Sequence, residues 1–225
     1  MRPALTFWLL AVAFFGTLVG SLFVGHASLA DASLRGALLE LRGLRSAATV
    51  LAGAALAVAG VLVQGLFRNP LASPSVLGTT AGAALGGQCA LYAHAALIAV
   101  LPTWLASEMA LPLGCLAGAG LALVAVLAIA GRGDDVLGLL LTGFVLSALL
   151  AGVGAVVTVL ALDSWQLGRA MLAFSLGGVS GIGAKQVLLA LPLVVIALLA
   201  AWSWAGDLDL LLCGEDEAAS LGVEV

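Results

Sequence analysis

The sequence predicts an all-α membrane protein, a polytopic bundle of about six transmembrane helices. Its 225 residues are 63% hydrophobic and only 9% charged, and the mean hydropathy is +1.24. A water-soluble fold of this composition would lack the polar surface to cover itself. The 8 basic and 12 acidic side chains leave charge-free windows of at least 21 residues at 3–30, 46–67, 69–107, 109–131, 136–162 and 186–206. A helix of that length, rising about 1.5 Å per residue, crosses a hydrocarbon core about 30 Å thick.

Helix one, predicted at residues 5–24, allows two interpretations. Arg2 precedes the apolar run, and the sequence ASLA at 27–30 resembles the cleavage site of a secretory signal. The run exceeds the roughly 7–15 apolar residues of a signal core, so a retained helix is favoured. Helix two is predicted at 47–67, after a polar segment that ends at Arg45.

Helix three is predicted at 76–101, within the longest charge-free window. Its residues Gly78, Gly82 and Gly86 form a doubled small-xxx-small ladder, which lets another backbone approach closely. The ladder predicts a tightly packed helix rather than a binding site. Helices four, five and six are predicted at 113–130, 136–162 and 187–205. Residues 163–185 are compatible with one short helix and a glycine-rich turn, and they are assigned no span.

Several kinds of chemistry find no support in the sequence. It contains no Gly-x-x-x-x-Gly-Lys-Ser/Thr phosphate cradle and no local motif for Ser/His/Asp catalysis. No charged residue lies within a predicted span, which argues against an ion-driven carrier. Cys89, Cys115 and Cys213 lack metal-ligand spacing, and they and His94 are expected to be packing or interfacial residues. We therefore expect no catalytic residue, metal, cofactor or nucleic-acid partner.

Two charged clusters invite a functional interpretation. Arg42 and Arg45 lie three residues apart at the predicted start of helix two, so on a helical turn their guanidinium groups face one side. Such a pair suits carboxylates on a partner surface, although it equally suits snorkelling anchors at the lipid headgroups. At the other end of the chain, acidic residues follow Gly214 and the run ends at Gly222, which predicts a short helix. That helix is either a solvated cap or a docking element for another subunit.

Three stretches occur together in a characteristic order: LRGLRSAATVLAGAALAVAGVLVQGLFRNPLASPSVLGTTAGAALG at 41–86, LLLTGFVLSALLAG at 139–152 and LCGEDEAASLGVEV at 212–225. They closely resemble the FecCD/BtuC family, the membrane permeases of ABC importers for iron-siderophores, haem and cobalamin. The resemblance implies a ten-helix permease fold in the bacterial inner membrane, a homodimer, cytoplasmic ATPase subunits and an extracytoplasmic substrate-binding protein. Residues 1–225 would form one permease domain, the N-terminal two-thirds of that fold.

The resemblance also implies roles for particular residues. Arg42 and Arg45 match external arginines that meet acidic residues on the binding protein. The start of the cytoplasmic coupling helices is matched by Gly214, Glu215, Glu217, Ala218, Leu221 and Gly222. The implied orientation opposes the positive-inside rule, because five of the 8 basic residues then lie outside. Docking of the binding protein would account for the exception.

The sequence RNPLASP is interpreted as the inner turnaround between helices two and three. Pro70 and Pro74 disfavour helix at the residues before them, so the chain unwinds after Arg68 and Asn69. An ordinary loop and a gating element both remain open. By family analogy, residues 135–137, Asp135 to Leu137, are expected near the inner gate.

The sequence departs from the family in two respects. It ends within the coupling region, so helices seven to ten are expected to be missing, as in a truncated, split or decayed gene. Gly43 and Leu44 also replace the usual Leu-Pro. The expected function is a permease for an iron(III)-siderophore, with haem or cobalamin as alternatives. A non-transporting membrane scaffold and an ion-coupled carrier are the competing classes.

Overall fold

The computed structural model describes residues 3–24, 33–100, 102, 108–130, 136–179 and 181–222. Within these ranges all regular structure is helical. The helices are α1 (Pro3–Phe23), α2 (Arg35–Leu66), α3 (Thr79–Tyr92), α4 (His94–Val100), α5 (Ala110–Ala130), α6 (Val136–Ala161), α7 (Trp165–Ser175), α8 (Ala184–Ser203), α9 (Ala205–Leu211) and α10 (Glu215–Ser220). A 3₁₀ turn, Pro74–Leu77, precedes α3.

Five helices in the described part of the chain are long and apolar enough to cross a membrane, namely α1, α2, α5, α6 and α8. This finding confirms the all-α membrane class, and these helices correspond to five of the six expected spans. Large apolar side chains along α1, such as Phe7 and Leu10, are mostly exposed. Lipid tails solvate such side chains as well as a protein core does.

The third expected span, 76–101, is not one helix. Ser73 caps the 3₁₀ turn, and Gly78 ends it in the left-handed region with a φ of 77°. Glycine adopts this conformation without steric cost, so α3 begins only at Thr79. A second irregularity at Ala93 separates α3 from α4. The single-helix prediction was wrong because the prolines and Gly78 fix a turn before the helix starts.

Helix α2 begins 12 residues earlier than expected, at Arg35 rather than at residue 47. The segment before Arg45 was predicted to be a polar connection because of its charges. Its leucines, alanine, arginines and glutamate nevertheless have high helix propensity, so the helix extends through them. Arg42 and Arg45 consequently lie two to three turns inside α2, not at its start.

The final third of the chain contains two short helices between the expected ones. Helix α7 is the short helix considered for the 163–185 region, whereas α9, which follows α8 directly, was not expected. The expected short helix near the C-terminus is present as α10. It is bounded by Gly214 and Gly222, whose φ angles are 132° and 92°.

Contacts divide the chain into two compact units. The first comprises residues 1–54 and 179–192, and the second comprises 55–178 and 193–225. In the first unit, side-chain hydrogen bonds join α1 to the beginning of α2. In the second, α3 packs most extensively against α5 and also contacts α6 and α7. The fully buried side chains of Val126 and Met171 form part of that packing.

Candidate functional site

In the first unit, the arginine pair lies beside the end of α1. Arg42 Nη1 donates a hydrogen bond of 2.9 Å to Leu22 O. This oxygen is one of the last carbonyls of α1, which lack partners within the helix and form the negative end of its macrodipole. Ser21 Oγ lies 2.9 Å from Ser46 Oγ and joins the same two helices. Arg42 therefore holds the beginning of α2 against the end of α1.

Both arginines also line a cavity of about 1100 Å³ within this unit. Its walls are largely apolar, with contributions from Phe14, Leu18 and Val50. Arg42 and Arg45 are each partly buried, and the Nε atom of the Arg45 guanidinium group is itself buried.

Helix α2 is long enough to separate the arginine pair from the turnaround by a full membrane. Arg45 and Gly65 both belong to this continuous helix, which has 32 residues. Gly65 follows Arg45 by twenty positions, which correspond to about 30 Å of helix, the thickness of a hydrocarbon core. The part of α2 from Arg45 to Gly65 is therefore long enough for one membrane crossing.

Helix α2 ends in a Schellman motif. Arg68 N donates to Gly65 O over 3.1 Å, and Asn69 N donates to Gln64 O over 3.1 Å. These two bonds satisfy carbonyls that the helix itself leaves without partners. The motif requires a left-handed residue, usually glycine, and here Arg68 takes that position with a φ of 48°.

The turnaround after α2 is held by its own hydrogen bonds. Leu71 N donates to Asn69 Oδ1 over 2.9 Å, and Ala72 N donates to Asn69 O over 3.0 Å. Gln64 Nε2 reaches across the turn to Ala72 O at 3.4 Å. Pro70 lies inside this turn, where its missing N–H removes no bond. The segment is thus an ordered element with defined hydrogen bonds.

Apolar contacts fix the turnaround to the first turns of α6. The centre of this contact consists of the buried residues Val63, Phe67 and Ala72. Three partly buried leucines pack on them, namely Leu77, Leu139 and Leu140. The 3₁₀ turn lies equally close, because a Cβ added at Gly143 of α6 would collide with Val76 O. Gly78, expected to pack one helix on another, instead forms the turn between these elements, facing Ser147.

The same end of α2 receives a side chain from α9. A Cβ added at Gly65 would lie 2.6 Å from Leu208 Cδ2 and 2.8 Å from Leu208 Cγ. Such distances are far below van der Waals contact, so any larger residue at position 65 would force the side chain of Leu208 to move. Gly65 is buried and Leu208 is half-buried. Leu208 therefore occupies a notch that Gly65 creates in the surface of α2.

Helix α10 follows α9 and packs against it. Ala218 is fully buried, whereas Leu221 is 64% exposed. A Cβ at Gly214 would lie 3.1 Å from Glu217 Oε2, so the glycine leaves room for that carboxylate beside the first turn. The side chain of Glu215 lies outside the described residues. Among the described side chains of this short helix, Ala218 is thus covered, whereas Glu217, Ala219 and Ser220 are exposed.

Gly82 and Gly86 of α3 lie directly against α5. A Cβ at Gly86 would collide with Gly114 O, and one at Gly82 would collide with Gly118 O and Ala122 Cβ. The sequence ladder pointed to one side of this interface. Its partners in α5 were not anticipated, although they too are spaced four residues apart.

Gln88 makes a partly buried polar contact that was not predicted from the sequence. Its Nε2 donates to Thr158 Oγ1 of α6 over 3.3 Å, and Thr158 Oγ1 donates in turn to Gly154 O over 2.9 Å. A Cβ at Gly154 would collide with Gln88 Oε1. Gln88, Phe174 and Ser175 also line a cavity of about 300 Å³. Two features of the sequence could have predicted this contact: an amide side chain within an apolar run, and a Gly-x-x-x-Thr pattern in the helix that faces it.

The cysteines show no sign of a metal centre. Within the described ranges, no group of three or more His, Cys, Asp and Glu side chains is arranged to hold an ion. Cys115 packs near Gly87, whose added Cβ would lie 2.7 Å from the sulfur. Cys89 and Cys213 are exposed. Asp135, expected near an inner gate, lies outside the described residues.

Residues 4–225 match the model of the FecCD transport family. The chain belongs to the FecCD family. It is 40% identical over 190 residues to the Fe(3+) dicitrate transport system permease protein FecD of Escherichia coli, covering 84% of this chain and 55% of the relative. It is 36% identical over 196 residues to the hemin transport system permease protein HmuU of Yersinia pestis, covering 83% of this chain and 54% of HmuU.

This FecCD-family chain is also similar to a cobalamin import system permease protein, BtuC of Halobacterium salinarum. The two are 35% identical over 176 residues, which cover 77% of this chain and 44% of the relative. The chain thus spans about half the length of the curated relatives it matches.

The fold of this FecCD-family chain matches a solved structure. The match is to an ABC transporter, assigned to the metal-chelate type, in an inward-facing conformation. The TM-score is 0.77 at 25% identity, over 96% of this chain and 66% of the other. The permease fold and the assignment to the inner membrane as a multi-pass protein are therefore confirmed.

Proposed function

We propose that this chain is the transmembrane permease subunit of an ABC importer and that a separate ATPase subunit powers it. One observation carries the proposal: nearly the whole chain superimposes on the fold of an ABC transporter with a TM-score of 0.77. The chain contributes pathway walls and docking surfaces, and ATP hydrolysis takes place on a partner chain.

The proposed cargo is an iron(III)-siderophore or a related metal chelate. FecD, a relative at 40% identity, is named for Fe(3+) dicitrate. Haem and cobalamin are the alternatives, since HmuU and BtuC are named for them. The walls of a permease for bulky chelates are expected to be largely apolar, with a separate binding protein selecting the ligand.

Arg42 and Arg45 are proposed to receive acidic residues of the extracytoplasmic binding protein. Both are permanently charged, and their guanidinium groups can bind carboxylates in a bidentate manner. Their spacing from Gly65 along α2 suits a position at the membrane face opposite the turnaround. The hydrogen bond from Arg42 to Leu22 O supports this role, because it would hold the pair in a fixed orientation.

The segment from Gly214 to Gly222 is proposed to dock onto the cytoplasmic ATPase. The inner turnaround beside it is proposed to consist of Arg68, Asn69, Pro70 and Pro74. The contact of Leu208 with Gly65 supports this assignment, because it ties α9 to the turnaround end of α2. Leu221, directly after α10, is exposed and available for a partner. Two copies of the permease are proposed to form a homodimer.

The decisive experiment is reconstitution of the full chain in liposomes with its ATPase and binding protein. Iron(III) dicitrate, haemin and cobalamin serve as separate probes, and ADP replaces ATP in the control. ATP-dependent accumulation of one probe supports the proposal. Binding of the partners without accumulation would instead indicate a membrane scaffold. Uptake driven by an ion gradient alone would indicate a carrier.

A further inference from the structure

The contact between α9 and α2 is built as a fitted pair. Leu208 projects into the notch at Gly65, where even one added carbon atom would lie 2.6 Å from the leucine side chain. Elsewhere on the same helices, a Cβ at Gly60 of α2 or at Gly206 of α9 would meet nothing within 4 Å. The requirement for glycine at position 65 is therefore specific to this contact.

The notch lies where two further contacts converge. Gly65 O accepts the hydrogen bond from Arg68 N that closes the Schellman motif. Its neighbours Val63 and Phe67 belong to the buried cluster that packs on Leu139 and Leu140 of α6. On the other side, α9 packs against α10. The side chain of Leu208 thus joins α9 to the end of α2, next to the buried cluster on which Leu139 and Leu140 of α6 pack.

We infer that Leu208 and Gly65 form a mechanical joint that positions α9 and α10 on the end of α2 and passes their displacement to the turnaround and α6. Leu208 and Gly65 are positioning residues in this scheme, since neither needs to touch the cargo or the ATPase. The contact can pass on a displacement because Leu208 lies directly against the backbone of α2 at Gly65, so a shift of α9 towards α2 pushes on that helix. The ATP-driven part of the inference rests on the proposed permease function.

The positioning role is testable in the full chain alone, through Cys213. This exposed cysteine lies between α9 and α10 and accepts a nitroxide label once Cys89 and Cys115 are replaced by alanine. We expect Gly65→Ala and Leu208→Ala each to increase the mobility of the label, measured by electron paramagnetic resonance in nanodiscs. The matched control Gly60→Ala should leave it unchanged. Unchanged spectra in both joint variants would overturn the inference.

Disulfide trapping tests the contact independently of the label. With the three native cysteines replaced, the pair Gly65→Cys and Leu208→Cys should cross-link under mild oxidation, because Leu208 Cγ lies 2.8 Å from the added Cβ. The pair Gly60→Cys and Leu208→Cys should not, since residue 60 lies on a different face of α2. Equal cross-linking of both pairs would also overturn the inference.

The coupling role requires the reconstituted transporter, with ATP hydrolysed per probe molecule accumulated as the readout. Each single alanine variant should raise this ratio about tenfold, whereas the double variant Gly65→Ala/Leu208→Ala should recover most of the loss, since an alanine pair restores contact. Additive losses in the double variant would overturn the coupling role. If the parent chain accumulates no probe, the proposed function is wrong, and the coupling role is wrong with it. The label and cross-link results still show whether Leu208 and Gly65 are in contact.

Discussion

Gly86 of α3 lies against Gly114 of α5 so closely that a Cβ on Gly86 would collide with the Gly114 carbonyl oxygen. Gly82 and Gly118 repeat this contact one turn away. Helices in lipid gain little from the hydrophobic effect when they associate, so such close backbone approach supplies much of the attraction through dispersion. The α3–α5 pair is accordingly the most extensive helix contact in the described chain.

Replacement of Gly86 by alanine should therefore destabilise the chain. Overpacking at a rigid backbone contact costs about 1–3 kcal/mol. The measurement is reversible unfolding in mixed detergent micelles. Gly120→Ala is the matched control, because it lies on α5 where a Cβ meets nothing within 4 Å. Alanine should be neutral or slightly stabilising there, since it favours helix over glycine. Equal stability of the two variants would contradict this account of the interface.

A second prediction concerns the left-handed conformation of Arg68. A residue with a Cβ at a φ of 48° is strained, and the strain in this region is about 1–2 kcal/mol. Arg68→Gly should therefore be more stable than Arg68→Ala by about 1 kcal/mol. Both variants lose the same side chain, so every contact made by the guanidinium group cancels in the comparison. The difference is measured from unfolding midpoints, and a more stable alanine variant would show that position 68 is not left-handed.

A third prediction addresses the hydrogen bond between Gln88 and Thr158. Interhelical hydrogen bonds in membranes contribute about 0.6 kcal/mol on average and at most about 1.7 kcal/mol. A double-mutant cycle of Gln88→Leu and Thr158→Val should give a coupling energy in that range. Thr158→Ser retains the hydroxyl and should preserve most of the coupling with Gln88. A coupling energy near zero would indicate that the 3.3 Å contact adds nothing to stability.

The sequence was a good guide where a single physical signal dominated. Charge-free windows located five long spans because burying charge in lipid is costly wherever it occurs. Gly214 and Gly222 bounded α10 because helix ends have local chemical requirements. The start of α2 was misplaced because charges suggested a connection, whereas helix propensity through Arg42 and Arg45 decided the outcome.

Contacts between segments that are far apart in the chain could not be predicted from the sequence. The small residues that face the glycine ladder became visible only when α5 was packed on α3, and the same holds for Leu208 at Gly65. No spacing rule links positions 65 and 208, because their proximity depends on how the intervening helices pack. Gln88 was not predicted because only charged groups were considered as polar sites within the spans. An uncharged amide can also form a hydrogen bond between two helices.

The last prediction separates the two interpretations of the arginine pair. Arg42 is bound to Leu22 O, so its replacement would also disturb the packing of α1 and α2, and Arg45 is the better probe. If the pair receives acidic residues of the binding protein, Arg45→Glu should weaken its binding to nanodisc-embedded permease at least about tenfold. Binding by the parent should also weaken as salt rises, because exposed charges are screened. Arg169→Glu, an equal change of charge at an exposed site in α7, should have little effect. Unchanged affinity in Arg45→Glu would assign the pair to lipid headgroups instead, and the same variant should then insert less efficiently into the membrane.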